Sequence, residues 1–141
     1  MDSYKVVGLT GQTGAGKSVV SHMLAQRGYA VIDCDRVSRQ VVSAGTACLM
    51  ELTLEFGVEI LMANGTLNRR RLGEMVFSDK EKRSRLNAII FPHIHRAIDL
   101  EIEQLHKDGN RVIFLDAPTL FESGADKRCD QIVSVIAPLS I

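Results

Sequence analysis

The residues with the clearest chemical meaning form a glycine-rich segment near the start of the chain, at residues 11–18. It reads Gly-Gln-Thr-Gly-Ala-Gly-Lys-Ser and matches the pattern G-x-x-x-x-G-K-[ST] at every fixed position. Glycines at these places allow a tight turn in which several backbone N–H groups face inward and bind phosphate oxygens. The start of the following helix adds partial positive charge and further N–H donors. We therefore predict a nucleoside triphosphate site formed by Gly11, Thr13, Gly14, Ala15, Gly16, Lys17 and Ser18.

Lys17 and Ser18 carry the specific part of this prediction. The lysine ammonium is placed to reach the β- and γ-phosphates, and the serine hydroxyl is a ligand for Mg²⁺. A glycine-rich turn capped by a serine explains neither the lysine nor its place after Gly16. Phosphate loops serve kinases, motor ATPases, GTPases and transporters. The Asn-Lys-x-Asp motif of guanine recognition is absent, and Asp116 is followed by Ala-Pro-Thr rather than by the D-x-x-G of a GTPase.

Three carboxylates follow predicted strands. Asp33 and Asp35 come after the apolar run at residues 29–32, and Asp116 ends the run at 112–116. In a parallel sheet the carboxyl ends of the strands share an edge with the phosphate loop, and ligands bind there. At this edge Asp33 is predicted to accept the proton of an attacking hydroxyl, and Asp116 to bind a Mg²⁺-coordinated water. Each acid could instead cap the following helix. For Asp35 the pattern favours capping at least as much as catalysis.

The elements around these residues predict an α/β fold, a three-layer nucleotide-binding architecture with a parallel sheet. A strand, the loop, a helix and a second strand form a β-α-β unit, so the two strands should run parallel in one sheet with a right-handed crossover. Buried parallel strands read as continuous apolar runs. Strands are expected at residues 4–9, 29–32, 112–116 and 132–136, and the flanking helices at 18–26 and 36–43.

The middle of the chain is predicted to be helical. One helix should span residues 46–56, and Asn68 can cap another that runs from Arg69 to about Phe77. Ser78 and Asp79 can cap a third, which is expected to end before Pro92. A further helix follows, with one apolar face formed by Ile94, Ile98, Ile102 and Leu105. Residues 46–92 are interpreted as a helical insertion for a second substrate within a single domain at 1–141.

Composition and charge limit the kinds of partner and the cellular compartment expected for this chain. Its 141 residues hold 17 basic and 17 acidic side chains, so no bulk attraction to nucleic acid is indicated. The three cysteines are odd in number and lack metal-ligand spacing, which favours a reducing cytoplasmic compartment over a disulfide scaffold. The apolar run at the N-terminus is too short for a signal peptide or a membrane span. The helical faces could pack internally or against a partner, so the oligomeric state stays open.

Other chemically interesting residues have simpler interpretations. The run of arginines at 69–71 could be a solvated face, or it could bind an anionic substrate bidentately. His93 and His95 point about 200° apart on a helix and are not expected to share an ion. Cys34 lies between two carboxylates, which should raise its pKa and leave an unreactive thiol.

The order of the motifs resembles the dephospho-CoA kinase family. The loop at residues 8–18 is similar to the start of these enzymes, and the segment at 33–39 resembles their D-x-D-x-[VI]-x-R motif. Residues 67–77 resemble an L-x-R-x-x-L-x-x-x-V-F helix. Residues 86–94 look like L-x-x-I-x-H-P-x-I, and residues 116–122 resemble D-x-P-L-L-F-E. The loop is shared by many proteins, whereas the other motifs together are specific to this family.

The resemblance implies transfer of the ATP γ-phosphate to the 3′-hydroxyl of the dephospho-CoA ribose, the last step of coenzyme A synthesis. It assigns Asp33 as the base, Lys17 as a catalytic phosphate ligand, and Ser18 and Asp116 to Mg²⁺. The helical insertion would hold the acceptor, with contacts assigned to Asp35, Arg39, Arg69, Pro92 and His93. Two departures from the motifs are Phe91 in place of a histidine and Thr119 in place of a leucine.

The resemblance also implies a continuation beyond residue 141. Family members carry a helical lid with arginines and a C-terminal part that helps to hold the adenine, and neither occurs in this sequence. Arginines on a transferring phosphoryl group are worth roughly 10³–10⁵ in rate, so a molecule that ended here is expected to be a poor catalyst. Two alternatives stay open: another small-molecule nucleoside or nucleotide kinase, and a nucleotide-binding module without transfer activity.

Overall fold

The computed structural model describes residues 3–11, 16–117 and 124–135. Their contacts divide into two compact units, Met1–Asp35 with Ile98–Ile141, and Arg36–Ala97. The strands are β1 (Lys5–Thr10), β2 (Ala30–Asp33), β3 (Val112–Asp116) and β4 (Gln131–Ser134). The α-helices are α1 (Lys17–Gln26), α2 (Cys34–Gln40), α3 (Ala47–Phe56), α4 (Arg69–Phe77) and α5 (Lys80–Lys107), and 3₁₀ turns lie at Val58–Ile60 and Ala125–Arg128.

The first unit contains a parallel sheet with the strand order β2-β3-β1-β4. The predicted α/β fold with a parallel sheet is therefore confirmed. The first two strands run parallel but are not neighbours, because β3 lies between them. The apolar runs of the sheet supply its core, since strands covered on both faces bury nearly every side chain. The side chains of Leu9, Ile32, Ile113 and Leu115 are at most 1% exposed.

The last described strand departs from its prediction. β4 ends at Ser134, and residue 136, which was expected to continue it, lies outside the described residues. A buried strand was expected, yet Ile132 and Val133 are 40% and 46% exposed. Within the described ranges β4 pairs only with β1, so it lies at the edge of the sheet, which explains the exposure.

The second unit is a helical cluster with its own core. Thr46 caps α3 by accepting the Leu49 N–H at 3.2 Å, and Asn68 caps α4 by accepting the Arg71 N–H at 3.0 Å. The predicted bounds of α4 and its cap are thus confirmed. The caps satisfy N–H groups that the first helical turns cannot pair, which fixes where each helix begins. The buried side chains of this core are Val42, Cys48, Leu52, Phe56, Ile60, Leu72 and Val76.

The prediction that a helix ends before Pro92 is wrong. Asp79 caps the start of α5 by accepting the Lys82 N–H at 3.0 Å. The helix has 28 residues in all and passes through Pro92 without ending. Proline in a helix interior costs about 3 kcal/mol. The apolar pattern at a four-residue spacing continues beyond it, with Ile94 and Ile98 at 8% and 0% exposure. Each buried isoleucine contributes about 1.5–3 kcal/mol, which offsets the proline.

Charged side chains occur all along α5, the longest described helix. Its 28 residues alternate apolar side chains with lysines, arginines and glutamates. In the described part of the chain, no helix combines the length and the apolar character needed to cross a membrane.

Gly73 offers a test of helix energetics. It lies inside α4, is exposed, and has an ordinary helical backbone conformation, and a Cβ placed on it meets no atom within 4 Å. We expect Gly73→Ala to raise the free energy of unfolding by about 1 kcal/mol, the difference in helix propensity between the two residues. Urea unfolding followed by circular dichroism measures this, and an unchanged or lowered midpoint would contradict it.

Candidate functional site

Two carboxylates end neighbouring strands of the sheet. Asp33 is the last residue of β2, Asp116 is the last of β3, and the two are in register. Asp33 is exposed, whereas Asp116 is 9% exposed. The sheet therefore brings one accessible and one nearly buried acid together at its carboxyl edge, where ligands bind in folds of this kind.

Lys17 extends this pair to three charged groups. Leu9 of β1 is in register with Asp116, and the chain then passes through the glycine-rich segment to Lys17, the first residue of α1. The Lys17 ammonium donates to the Asp116 carboxylate, and the two side chains are only 13% and 12% exposed. Ser18 follows in the first turn of α1 with an exposed side chain. The lysine and the acid predicted to act on phosphate and metal are thus in direct contact.

The two ends of the glycine-rich segment need glycine. Gly11 has φ 154°, and a Cβ there would lie 2.6 Å from the carbonyl oxygen of Val135. Gly16 begins α1 with φ 92°, in the left-handed region that disfavours other residues. The remaining predicted loop residues, Thr13, Gly14 and Ala15, lie outside the described residues.

The Asp33 carboxylate makes the helix-capping contact that was the alternative for each of the three acids. Its Oδ1 accepts the Asp35 N–H at 3.0 Å at the start of α2, which begins at Cys34. An acid two residues before a helical N–H is a familiar capping arrangement, so the D-x-D pattern itself contained this signal. This hydrogen bond orients the Asp33 carboxylate at the start of α2.

Cys34 lies beside these acids as an inert thiol. Burial, and then the charges of Asp116, Asp33 and Asp35, raise the pKa of Cys34 from 9.0 to about 12. The expected rise is confirmed, although burial contributes more than the two neighbouring carboxylates on which the prediction was based. Cys34, Cys48 and Cys129 are all free thiols.

This burial has a measurable consequence at pH 8. Because alkylation needs the thiolate, we expect Cys34 in the folded protein to react with iodoacetamide roughly 10³-fold more slowly than in the urea-unfolded chain. Mass spectrometry of digested samples taken over time measures the rate at each cysteine separately. Comparable rates for Cys34 in the folded and unfolded chain would contradict the expectation.

The residues assigned to an acceptor lie in the second unit, apart from Asp35. Arg39 is exposed in the last turn of α2, and Pro92 is exposed within α5. The His93 ring nitrogen Nε2 lies 3.2 Å from a carboxylate oxygen of Glu51. Arg69 is the first residue of α4 and lines a cavity with a volume of about 280 Å³.

This cavity was not anticipated from the sequence. It is lined by residues of α2, α4 and α5 and of the segments that follow α2 and precede α4, and Gly73 forms part of its wall. A glycine in the interior of a helical pattern costs stability, and this was the signal available in the sequence. The lining residues are Ser38, Val42, Leu67, Arg69, Leu72, Gly73, Val76, Leu86 and Ile90.

The oxygen ligands at the sheet edge fit Mg²⁺. Ser18 offers a hydroxyl and Asp116 a carboxylate, and hard oxygen ligands are what this ion prefers. Among the described residues, no group of three or more His, Cys, Asp or Glu side chains could hold a metal ion.

The fold and the site define a class of protein. A parallel sheet with a glycine-rich loop between its first strand and first helix, a lysine at the start of that helix and an acid at the end of the neighbouring strand is the P-loop nucleotide-binding architecture. The profile of the dephospho-CoA kinase family matches residues 5–141. The chain belongs to this family.

Individual relatives agree with that assignment. The chain is 44% identical to the Listeria innocua dephospho-CoA kinase over 131 residues, which are 93% of this chain and 66% of the relative. It is 40% identical to the Fusobacterium nucleatum dephospho-CoA kinase over 139 residues, or 99% of this chain and 70% of the relative. The chain thus spans 66% of the length of the first of these relatives.

Solved structures share the fold. A crystal structure of a Thermus thermophilus protein superposes with a TM-score of 0.78 at 34% identity, covering 96% of this chain and 67% of that one. The dephospho-CoA kinase from Campylobacter jejuni gives a TM-score of 0.74 at 24% identity, covering 92% and 64%. The second match is evidence of the fold alone.

Proposed function

We propose that the protein transfers the γ-phosphate of ATP to the ribose 3′-hydroxyl of dephospho-CoA, which gives coenzyme A and ADP. Family membership supports this reaction, and one feature of the site carries it. Asp33, an exposed acid, ends the strand next to Asp116, which holds the loop lysine. A base for an alcohol and a cation for phosphate are what phosphoryl transfer to an alcohol requires.

The residues have separate roles in this proposal. The acceptor oxygen attacks the γ-phosphorus while the bond from that phosphorus to the β–γ bridging oxygen breaks, and the hydroxyl proton passes to the Asp33 carboxylate. Lys17 leaves Asp116 for the β- and γ-phosphates and stabilises the charge that develops on them. The loop N–H groups from residue 11 onwards hold the phosphates in place.

The Mg²⁺ ligands in this proposal are Ser18 directly and Asp116 through water. The ion neutralises charge on the phosphates when it is bound. Asp116 would then contribute in both states of the site, since its carboxylate pairs with the lysine in this structure and would be available to hold a metal-bound water once the lysine moves to the phosphates. Its position at the end of a central strand keeps it in place for both partners.

We propose that the acceptor binds in the helical insertion at residues 46–92, with contacts from Arg39, Arg69, Pro92 and His93 and from Asp35 at the sheet edge. Arginines suit the pyrophosphate of the acceptor because the guanidinium binds such oxygens bidentately. Three free thiols in the chain support a reducing, cytoplasmic location.

The choice of acceptor tests the proposal. Purified protein is given ATP and Mg²⁺ with dephospho-CoA, adenosine, other nucleosides or nucleoside monophosphates, and ADP release is followed with a coupled assay. We expect release with dephospho-CoA, with the new phosphate located on the 3′-oxygen by ³¹P NMR. Turnover only with nucleosides or nucleotides would indicate a different small-molecule kinase. Nucleotide binding that no acceptor converts to turnover would indicate a binding module.

A further inference from the structure

The cavity in the second unit has an unusual composition for a space next to a hydrophobic core. Its volume is about 280 Å³, near the lower end of the roughly 300–1,000 Å³ found for small-molecule pockets. Its walls are apolar apart from Ser38 and Arg69, and none of the nine lining residues is acidic. Such a space suits a slender uncharged chain with an anion at one end.

Arg69 differs from the two arginines that follow it. Arg70 pairs with Glu74 at 3.4 Å, and Arg71 pairs with Glu59 at 2.7 Å. Among the described residues, Arg69 has no ion-pair partner, although it starts the same helix. An arginine that lines a cavity without a carboxylate is available to bind an anionic ligand bidentately.

Gly73 contributes no side chain to the cavity wall. It follows Arg69 by one helical turn and lines the same space, and a Cβ at this position would meet no atom within 4 Å. Neither its backbone conformation nor crowding by the protein requires a glycine there. When neither backbone conformation nor crowding explains a glycine inside a helix, we infer that its small size leaves space for a bound ligand.

We propose that this cavity receives the uncharged pantetheine arm of dephospho-CoA, with Arg69 on the pyrophosphate from which the arm extends. This inference rests on the proposed function, since it names where one part of the acceptor binds. In the acceptor the anionic pyrophosphate is joined directly to a flexible chain of amides and methylenes. The Arg69 guanidinium and the apolar wall of the cavity provide an anion-binding group next to an uncharged space, which is the same order.

Two pairs of variants test the inference by isothermal titration calorimetry with 4′-phosphopantetheine and dephospho-CoA. Gly73→Leu places a branched side chain at the cavity wall and should lower the affinity for both ligands roughly tenfold or more. Gly73→Ala should lower these affinities far less. Arg69→Ala should lower the affinity for both ligands roughly 10–100-fold, because a charged hydrogen-bond donor is lost. Arg70→Ala, on the neighbouring paired arginine, should leave both affinities unchanged.

Binding of ATP serves as the folding control, because none of these substitutions lies in the loop. In turnover, Gly73→Leu should raise KM for dephospho-CoA with little change in kcat. Unchanged affinities in both Gly73→Leu and Arg69→Ala would overturn the inference, as would equal losses in Arg69→Ala and Arg70→Ala. The titrations report on the cavity even if the unmodified protein transfers no phosphate to dephospho-CoA, an outcome that would instead refute the proposed function.

Discussion

Replacing Asp33 with asparagine should lower the rate of phosphoryl transfer roughly 10²–10⁴-fold, the usual contribution of a general base. The ATP dissociation constant should stay nearly unchanged, because the base acts mainly in the transition state. Asparagine keeps a side-chain oxygen that can accept the Asp35 N–H, and it caps helices as well as aspartate does. The substitution therefore removes the proton acceptor while it preserves the start of α2.

The measurement combines a coupled ADP-release assay with a nucleotide titration. Asp79→Asn is the matched control, since Asp79 makes the same kind of cap at the start of α5, by accepting the Lys82 N–H at 3.0 Å, and lies outside the proposed machinery. It should keep normal turnover. If Asp33→Asn retains more than about a tenth of the turnover, general base catalysis by this residue is excluded.

Replacing Lys17 with methionine should affect both catalysis and stability. Loss of a cation that stabilises developing negative charge is expected to lower kcat roughly 10²–10³-fold and to weaken ATP binding. The substitution also leaves Asp116, whose side chain is 12% exposed, without its counter-charge. Removing one partner of a buried ion pair costs about 3–5 kcal/mol, and partial exposure should reduce this to about 2–4 kcal/mol. Urea unfolding and the ADP-release assay measure the two effects separately.

The double variant Lys17→Met with Asp116→Asn separates these contributions. It removes both charges, so it should recover most of the lost stability, since replacing a buried pair by neutral groups is often nearly neutral. It should not recover phosphoryl transfer, because the cation for the phosphates is still missing. Recovery of transfer in the double variant, or equal stability of the unmodified protein, Lys17→Met and the double variant, would contradict the arrangement in which Asp116 holds Lys17.

The sequence was most informative where local chemistry determines structure. The cap at Asn68 and the end of β3 at Asp116 were predicted correctly, because a side-chain acceptor or an apolar run limits each element. The contact between Lys17 and Asp116 joins residues 99 positions apart, and the apolar run at 112–116 gave no information on which strands it would join.

The errors have a common physical origin in tertiary packing. The helix was predicted to end before Pro92 because proline destabilises a helix interior, but burial of Ile94 and Ile98 on the same helix outweighs that cost. Among the described strands β4 lies at the edge of the sheet, and no property of Ile132 or Val133 reveals that place or the exposure that goes with it. The cavity beside Arg69 is formed by residues of three helices that are distant in sequence, so it could be found only in three dimensions.

The insertion of β3 between β1 and β2 has a consequence for the order of events during synthesis. A ribosome that has released the first hundred residues has already delivered the phosphate loop and Asp33, but not the strand that joins them. Contacts over such long sequence separations form slowly, because a large loop must close first. The edge of the sheet that carries Asp33 and Asp116 can therefore form only after residues 112–116 have emerged and paired with both earlier strands.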